Sequence, residues 1–177
     1  MQYTSAYRSP LGDILLAGDE NALTGLWFEG AKYYARGLEI CRTERETPVL
    51  IAAKHWLDVY FSGREPDFMP PLQLTGTPFE RSVWKILQTI PYGTTVTYGE
   101  ISGQIAEKRG LDRLSAQAVG GAVGRNPISV LIPCHRVVGS DGSLKGYAGG
   151  VDKKAALLRL EGAWTEKNTV PVAGTAL

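Results

Sequence analysis

Two stretches in the second half carry the same helix-opening signature. Thr77-Pro78-Phe79-Glu80 puts threonine at an N-cap, proline at the first helical position and a glutamate where it can reach back to the cap backbone. Thr97-Tyr98-Gly99-Glu100 repeats the threonine and the glutamate. After the first signature, Phe79, Val83, Ile86, Leu87 and Ile90 make an apolar face, with Trp84 read as core, and Pro91-Tyr92-Gly93 ends the helix. After the second, a helix runs toward Lys108, and Ser115 caps a third that reaches about Gly124. Short consecutive helices joined by a modest loop are what a helix-turn-helix requires.

The third of these helices is poor in bulk. Ala116, Ala118, Gly120, Gly121, Ala122 and Gly124 leave a smooth surface. Glycine costs about 1 kcal/mol against alanine inside a helix, so close approach by another body must compensate. That body is either a tightly packed helix or a nucleic-acid backbone. Lys108, Arg109, Arg113 and Arg125 flank the surface and favour the second.

The first half reads differently. Residues 3–7, 13–18 and 22–28 are three strands with short connections, an antiparallel meander. Residues 31–47 are charged and irregular. Pro48 opens a helix whose Leu50, Ala53, Leu57 and Phe61 fall at helical spacing, and Gly63 stops it. Leu72-Gln73-Leu74 is a candidate edge strand. Residues 1–75 carry 7 basic against 10 acidic side chains, net −3, and residues 76–177 carry 12 against 8, net +4. The excess positive charge sits on the helical half, as a DNA-facing surface needs.

One of the two cysteines and one of the two histidines are adjacent, in Ile132-Pro133-Cys134-His135-Arg136-Val137. The aliphatic run from Ile128 to Ile132 reads as a strand that Pro133 stops or bends, which leaves the thiol at a strand end. The thiolate is the reactive form, and a nearby imidazole is the common device for making it. On a fully extended chain Cys134 and His135 point to opposite faces. Either Pro133 bends the chain or a water relays the proton. The plain alternative is a structural cysteine beside a surface histidine. Cys41, with no histidine near it in sequence, reads as structural or incidental.

With Asn126-Pro127 before it, Gly146-Tyr147-Ala148-Gly149-Gly150 after it and Leu160-Glu161-Gly162 closing a last helix, this segment resembles the O6-alkylguanine-DNA alkyltransferases, the methylated-DNA–protein-cysteine methyltransferases. The likeness is specific over residues 76–162 and general over the first 75. It implies direct-reversal DNA repair: a single-turnover transfer of an O6-alkyl (methyl) group from guanine to Cys134, the base flipped out of a duplex gripped through the minor groove. It implies that His135 deprotonates the thiol through a water, that Glu161 orients and charge-stabilises His135, and that Asn126 ties the DNA-reading helix to the site. Tyr98 would contact the base and the adjacent phosphate. Gly120 and Arg125 would belong to the DNA-facing surface. Arg136 would support the site by ion pairing, and Tyr147, Ala148 and Gly149 would close over the flipped base. Gln117 stands where the family has an arginine that fills the hole left by the base, so one charge-assisted contact is lost. The loop 108–114 is also longer than in many relatives.

Pattern and resemblance together give the fold class: an α/β N-terminal domain, a small antiparallel sheet with a helix, over residues 1–75, and a mainly α, winged helix-turn-helix-like domain over 76–162. A flexible tail is expected over 163–177. The expected partner is double-stranded DNA containing O6-alkylguanine, with no cofactor, no metal, no membrane and a monomeric chain. Cys41 and His55 are too few for a four-ligand zinc site. The N-terminus lacks a basic-then-apolar leader and no run is long enough to span a bilayer, so an intracellular, cytoplasmic setting is expected. A non-catalytic lesion binder would lack the cysteine. A cysteine hydrolase would turn over many times, and no glycine-rich nucleophile elbow supports one.

Overall fold

A computed structural model of the chain describes residues 1–171. The chain forms two compact units: Met1–Thr75 together with Pro127–Leu131, and Gly76–Asn126 together with the chain from Ile132 onward.

In the first unit, β1 (Gln2–Ser9), β2 (Gly12–Gly18) and β3 (Leu23–Phe28) form the expected antiparallel meander. The sheet is mixed rather than purely antiparallel. β4 (Arg42–Glu44), from the segment read as irregular, lies parallel to β1 at the edge, in the order β3-β2-β1-β4. All three of its residues are exposed, and two are charged, which suits an unprotected edge. Leu72 makes only a single bridge to Leu23, and Ile128 a single bridge to Leu26, both beside β3. α1 (Pro48–Phe61) is capped by Thr47, whose hydroxyl accepts from the Leu50 N–H, with Pro48 in the first turn. Its Leu50, Ala53, Trp56, Leu57 and Tyr60 are buried, and α1 packs across β1, β2 and β3. Each such fully buried large side chain contributes about 1.5–3 kcal/mol.

The run Ile128–Ile132 is not a strand. Past the bridge at Ile128 it is a buried turn in which Val130 has φ 70°. The left-handed region is unfavourable for a β-branched residue, so the surrounding packing holds it there. A continuous apolar run signals burial and does not specify extended backbone.

In the second unit, α2 (Pro78–Leu87) and α3 (Tyr98–Arg109) each open with a complete capping box, built by Thr77 with Glu80 and by Thr97 with Glu100. β5 (Val96–Thr97) precedes α3, which ends on Gly110 at φ 64°, a left-handed cap suited to glycine. α4 (Ala116–Gly124) is capped by the Ser115 hydroxyl. α3 and α4 pack together as the helix-turn-helix, and α2 packs on both. The Trp84 indole N–H donates to the Ala122 carbonyl at 2.8 Å, and Arg125 pairs with the buried Glu80 at 2.6 Å. β6 (Val137–Val138) pairs in parallel with β5, and α5 (Val151–Leu160) follows.

Within the expected tail, Ala163, Trp164 and Asn168 make contacts in the second unit, while residues 165–167, 169 and 170 are exposed. Ala163 and Trp164 join a core cluster with Val138, Leu144, Ala155 and Leu158, and the Asn168 amide donates to the Gly142 carbonyl at 2.9 Å. Residues 172–177 lie outside the described residues.

Because the Thr77 hydroxyl and the Glu80 carboxylate close one box, and Glu80 also holds Arg125, the start of α2 is a junction. Thr77→Ala is expected to lower unfolding stability by about 1 kcal/mol, read as a lower urea midpoint at unchanged slope.

Candidate active site

Three pieces of the second unit build the site: the end of α4, the turn that carries Cys134, and the end of α5. Pro133, at φ −82° and ψ 63°, is the centre of an inverse γ-turn, closed by the Cys134 N–H donating to Ile132 O at 2.8 Å. Cys134–Arg136 then form one turn of 3₁₀ helix, with the Arg136 N–H on Pro133 O at 3.0 Å. The chain therefore bends at Pro133 and does not stay extended past it. Cys134 and His135 share a helical turn and both are buried.

The Glu161 side chain is fully buried at the C-cap of α5, not solvated as a charged residue at a helix end would ordinarily be. Its Oε1 lies 2.6 Å from His135 Nε2 and accepts from Arg136 Nη2 at 2.9 Å. Its Oε2 accepts from Arg136 Nε at 2.9 Å and from the Gly93 backbone N–H at 3.2 Å. Arg136 therefore grips the carboxylate in a fork, the strong geometry for this pair. Its remaining Nη1 donates to Ile90 O at 2.7 Å, and its guanidinium lies 5.6 Å from the Tyr92 ring centre. Gly93, at φ 74°, has its Cα hydrogen facing the Glu161 carbonyl, where a side chain would come within 3.1 Å.

Burial works to raise the Glu161 pKa. The hydrogen bonds from His135 and Arg136, with their charges, outweigh it and hold the carboxyl at about 2. Burial draws the His135 imidazole down, against the pull of Glu161, and the Arg136 charge lowers it further. A neutral ring whose Nε2 faces a carboxylate carries its proton there, which makes Nδ1 the acceptor; this tautomer is assigned from the hydrogen-bond partner. Burial raises the Cys134 thiol. The Asn126 amide, the Lys154 charge and the backbone N–H groups of Cys134 and His135 at the head of the turn all favour the thiolate.

Asn126 is buried, and its amide donates to Ile132 O at 2.8 Å, so the second residue past α4 fixes the entry to the turn that carries Cys134. The Tyr98 hydroxyl donates to Lys145 O at 2.7 Å and is electrostatically coupled to Cys134. Tyr147, Ala148 and Gly149 form a half-buried loop leading into α5, turned by the Gly150 N–H on Tyr147 O at 2.9 Å. Gly120 is buried in α4. Gln117 is exposed on the first turn of α4. It lines a groove of about 890 Å³ between α3 and α4, with Gly99, Ser102 and Gly103 among the other walls. Arg125 and Arg136 are both committed to internal carboxylates, Glu80 and Glu161. Cys41 is exposed, and His55 stacks on Phe68.

Lys154 is the residue that sequence reasoning missed. It is fully buried on α5, and its ammonium donates to Gly146 O at 3.1 Å and meets the Tyr98 hydroxyl at 3.5 Å. The signal was its spacing. Lys154 shares the helix face of Leu157 and Leu158, where a lysine is out of place.

A soft nucleophile on the same turn as a neutral imidazole, itself held by a buried carboxylate, is a set of groups suited to attack by sulfur with proton removal by the ring. The carboxyl group also sets an acid sensitivity. Its folded pKa of about 2 lies below the ordinary 4.5. Its stabilisation is therefore complete above the ordinary value and is lost as pH falls through the folded one. Urea unfolding of the wild type and Glu161→Gln across this range is expected to show a large gap at neutral pH that narrows toward pH 2.

A family model described as 6-O-methylguanine DNA methyltransferase, DNA binding domain, matches residues 78–163, and its companion, the ribonuclease-like domain, matches residues 2–74. The methylated-DNA–protein-cysteine methyltransferase of Methanosarcina acetivorans is 42% identical over 162 residues, covering 91% of this chain and 99% of that one. The protein of the same name from Mycobacterium tuberculosis is 43% identical, covering 86% and 88%. The crystal structure of Mycobacterium tuberculosis OGT in complex with DNA superposes with a TM-score of 0.79 at 40% identity, covering 91% of this chain and 93% of that one. With both of its halves matched and relatives aligned along most of its length, this chain belongs to the 6-O-methylguanine DNA methyltransferase family.

Proposed function

We propose that this protein repairs O6-alkylguanine in double-stranded DNA, inside the cell and as a monomer, by moving the alkyl group once onto Cys134. The observation that carries the reading is the cluster itself: the Cys134 thiol and His135 on one 3₁₀ turn, with His135 Nε2 2.6 Å from a buried Glu161. The family membership supplies the substrate class.

The O6 substituent is inaccessible inside a stacked duplex, so the base must leave it. α4 presents Ala116, Ala118 and Gly121 without bulk and suits close approach to the minor groove. Gln117, on the exposed first turn, takes the gap left by the base. The loop at Tyr147, Ala148 and Gly149 holds the flipped guanine through its backbone groups, and Tyr98 borders the site. Arg125 and Arg136 serve by keeping α2, α4 and Glu161 in place rather than by meeting phosphate, because their guanidinium groups are already paired.

His135 Nδ1 takes the thiol proton through a water. The sulfur attacks the alkyl carbon in line; the S–C bond forms as the C–O6 bond breaks. The bonding pair passes into the purine, whose N1 receives a proton, so that the thiol's proton is balanced by that on the restored guanine. The thioether has no route back, which makes the reaction stoichiometric.

Intact-mass analysis after incubation with an O6-methylguanine duplex is expected to find one methyl group per molecule on Cys134 and none on Cys134→Ser. An unmodified protein with an intact thiol, or repeated turnover of an ester, would count against the reading. Loss of the base in His135→Ala is expected to slow transfer by about 10²–10⁴-fold. Gln117→Arg is expected to bind duplex more tightly, with a salt slope steeper by about one counterion; unchanged affinity and slope would remove this residue from the interface.

A further inference from the structure

We propose that Lys154 is a positioning residue that brackets the loop 147–149, holding the chain on either side of it so that the loop keeps the shape in which it receives a base. What the loop receives rests on the alkyl-transfer reading; the bracket itself does not.

One residue touches both ends of this loop. The Lys154 backbone N–H donates to Gly150 O at 3.2 Å, and its ammonium donates to Gly146 O at 3.1 Å. Between those carbonyls lie Tyr147, Ala148 and Gly149, all half-buried. Both flanking glycines have left-handed φ, 67° at Gly146 and 101° at Gly150, so the chain turns sharply at each bracketed residue. The ammonium also meets the Tyr98 hydroxyl at 3.5 Å, and that hydroxyl donates to Lys145 O at 2.7 Å. Two consecutive carbonyls, those of Lys145 and Gly146, are therefore held by buried side chains, one from α3 and one from α5. The donors form a chain in which each bond polarises the next.

A lysine is a costly choice at this position. Lys154 has no exposure and shares its helix face with Leu157 and Leu158. A methionine or leucine would fill that face without the cost of desolvating an ammonium. What the lysine adds is a charged donor, the stronger kind of hydrogen bond, placed at Gly146 O. Burial draws it down to about 8, so it stays mostly charged at neutral pH. Its direction fits its place: a long side chain on a helix leans toward the N-terminal end, and here the loop lies at that end. With the loop pre-set, a flipped base meets backbone groups already in position, and a misplacement of about 1 Å in such groups is costly in rate.

Limited trypsin digestion of the full chain reads the bracket directly. Lys145 is exposed and Gly146 buried, and a cut between them requires the loop to open. Cutting after Arg113, exposed between α3 and α4, is the internal reference. In Lys154→Met the ratio of cutting at Lys145 to cutting at Arg113 is expected to rise by about tenfold or more. Tyr98→Phe, which loses a neutral hydroxyl, should raise it about threefold, and this variant decides alone if Lys154→Met does not fold. With protein in excess over an O6-methylguanine duplex, Lys154→Met is expected to slow transfer at saturation by about tenfold or more, while binding undamaged duplex as tightly as the wild type does. An unchanged cutting ratio, an unchanged saturated rate, or a loss seen only in duplex affinity would overturn the proposal. If the wild type leaves the duplex unrepaired while the ratio rises as expected, the alkyl-transfer reading fails and the bracket stands.

Discussion

The Glu161 carboxylate is the interaction that the site depends on. A buried ion costs several kcal/mol in lost solvation unless its lone pairs are filled. Here they are filled by the Arg136 fork, the His135 ring and the Gly93 backbone N–H. Arg136 matters for the chemistry as well as for the fold. A histidine alone with a buried carboxylate would be driven toward imidazolium and could not accept a proton. With the carboxylate already balanced by a guanidinium, His135 can remain neutral and still be held in one tautomer. The same clamp joins the turn after α2, the 3₁₀ turn and the end of α5, so three separate stretches of sequence are fixed by one anion.

A second set of ties links α2 and α4 to this centre. Trp84 bonds the carbonyl of Ala122, Glu80 holds Arg125, and Asn126, the next residue, bonds Ile132 O on the way to Cys134. One residue, Asn126, thus joins the end of α4 to the turn that carries Cys134. Arg125 lies over Gly121, with a guanidinium nitrogen 3.1 Å from where a Cβ would stand, so the glycine leaves room for the pairing as well as a smooth helix face.

Much of this could be read in the sequence. The helices were legible because Thr77, Thr97 and Ser115 are local signals whose hydrogen bonds span only a few residues. The run Ile128–Ile132 was misread because burial favours the same residues in a strand and in a packed turn; only the φ of Val130 separates them. β4 carries no apolar pattern, since all its residues face solvent. Cys134 and His135 stood out by rarity and adjacency. Glu161 did not: by position it is an ordinary charged residue at a helix end, and only the resemblance singled it out. Its burial depends on Arg136 and Gly93, distant in sequence. Lys154 was legible in principle from its apolar helix face, but the groups its ammonium meets, Gly146 O and the Tyr98 hydroxyl, lie on other elements.

The most direct measurement is the tautomer of His135, by nitrogen-15 NMR of the imidazole at neutral pH. The account predicts a neutral ring protonated at Nε2, with Nδ1 carrying the lone pair, and conversion of that signal when Glu161 is replaced by alanine. An imidazolium, or a neutral ring protonated at Nδ1, would contradict it.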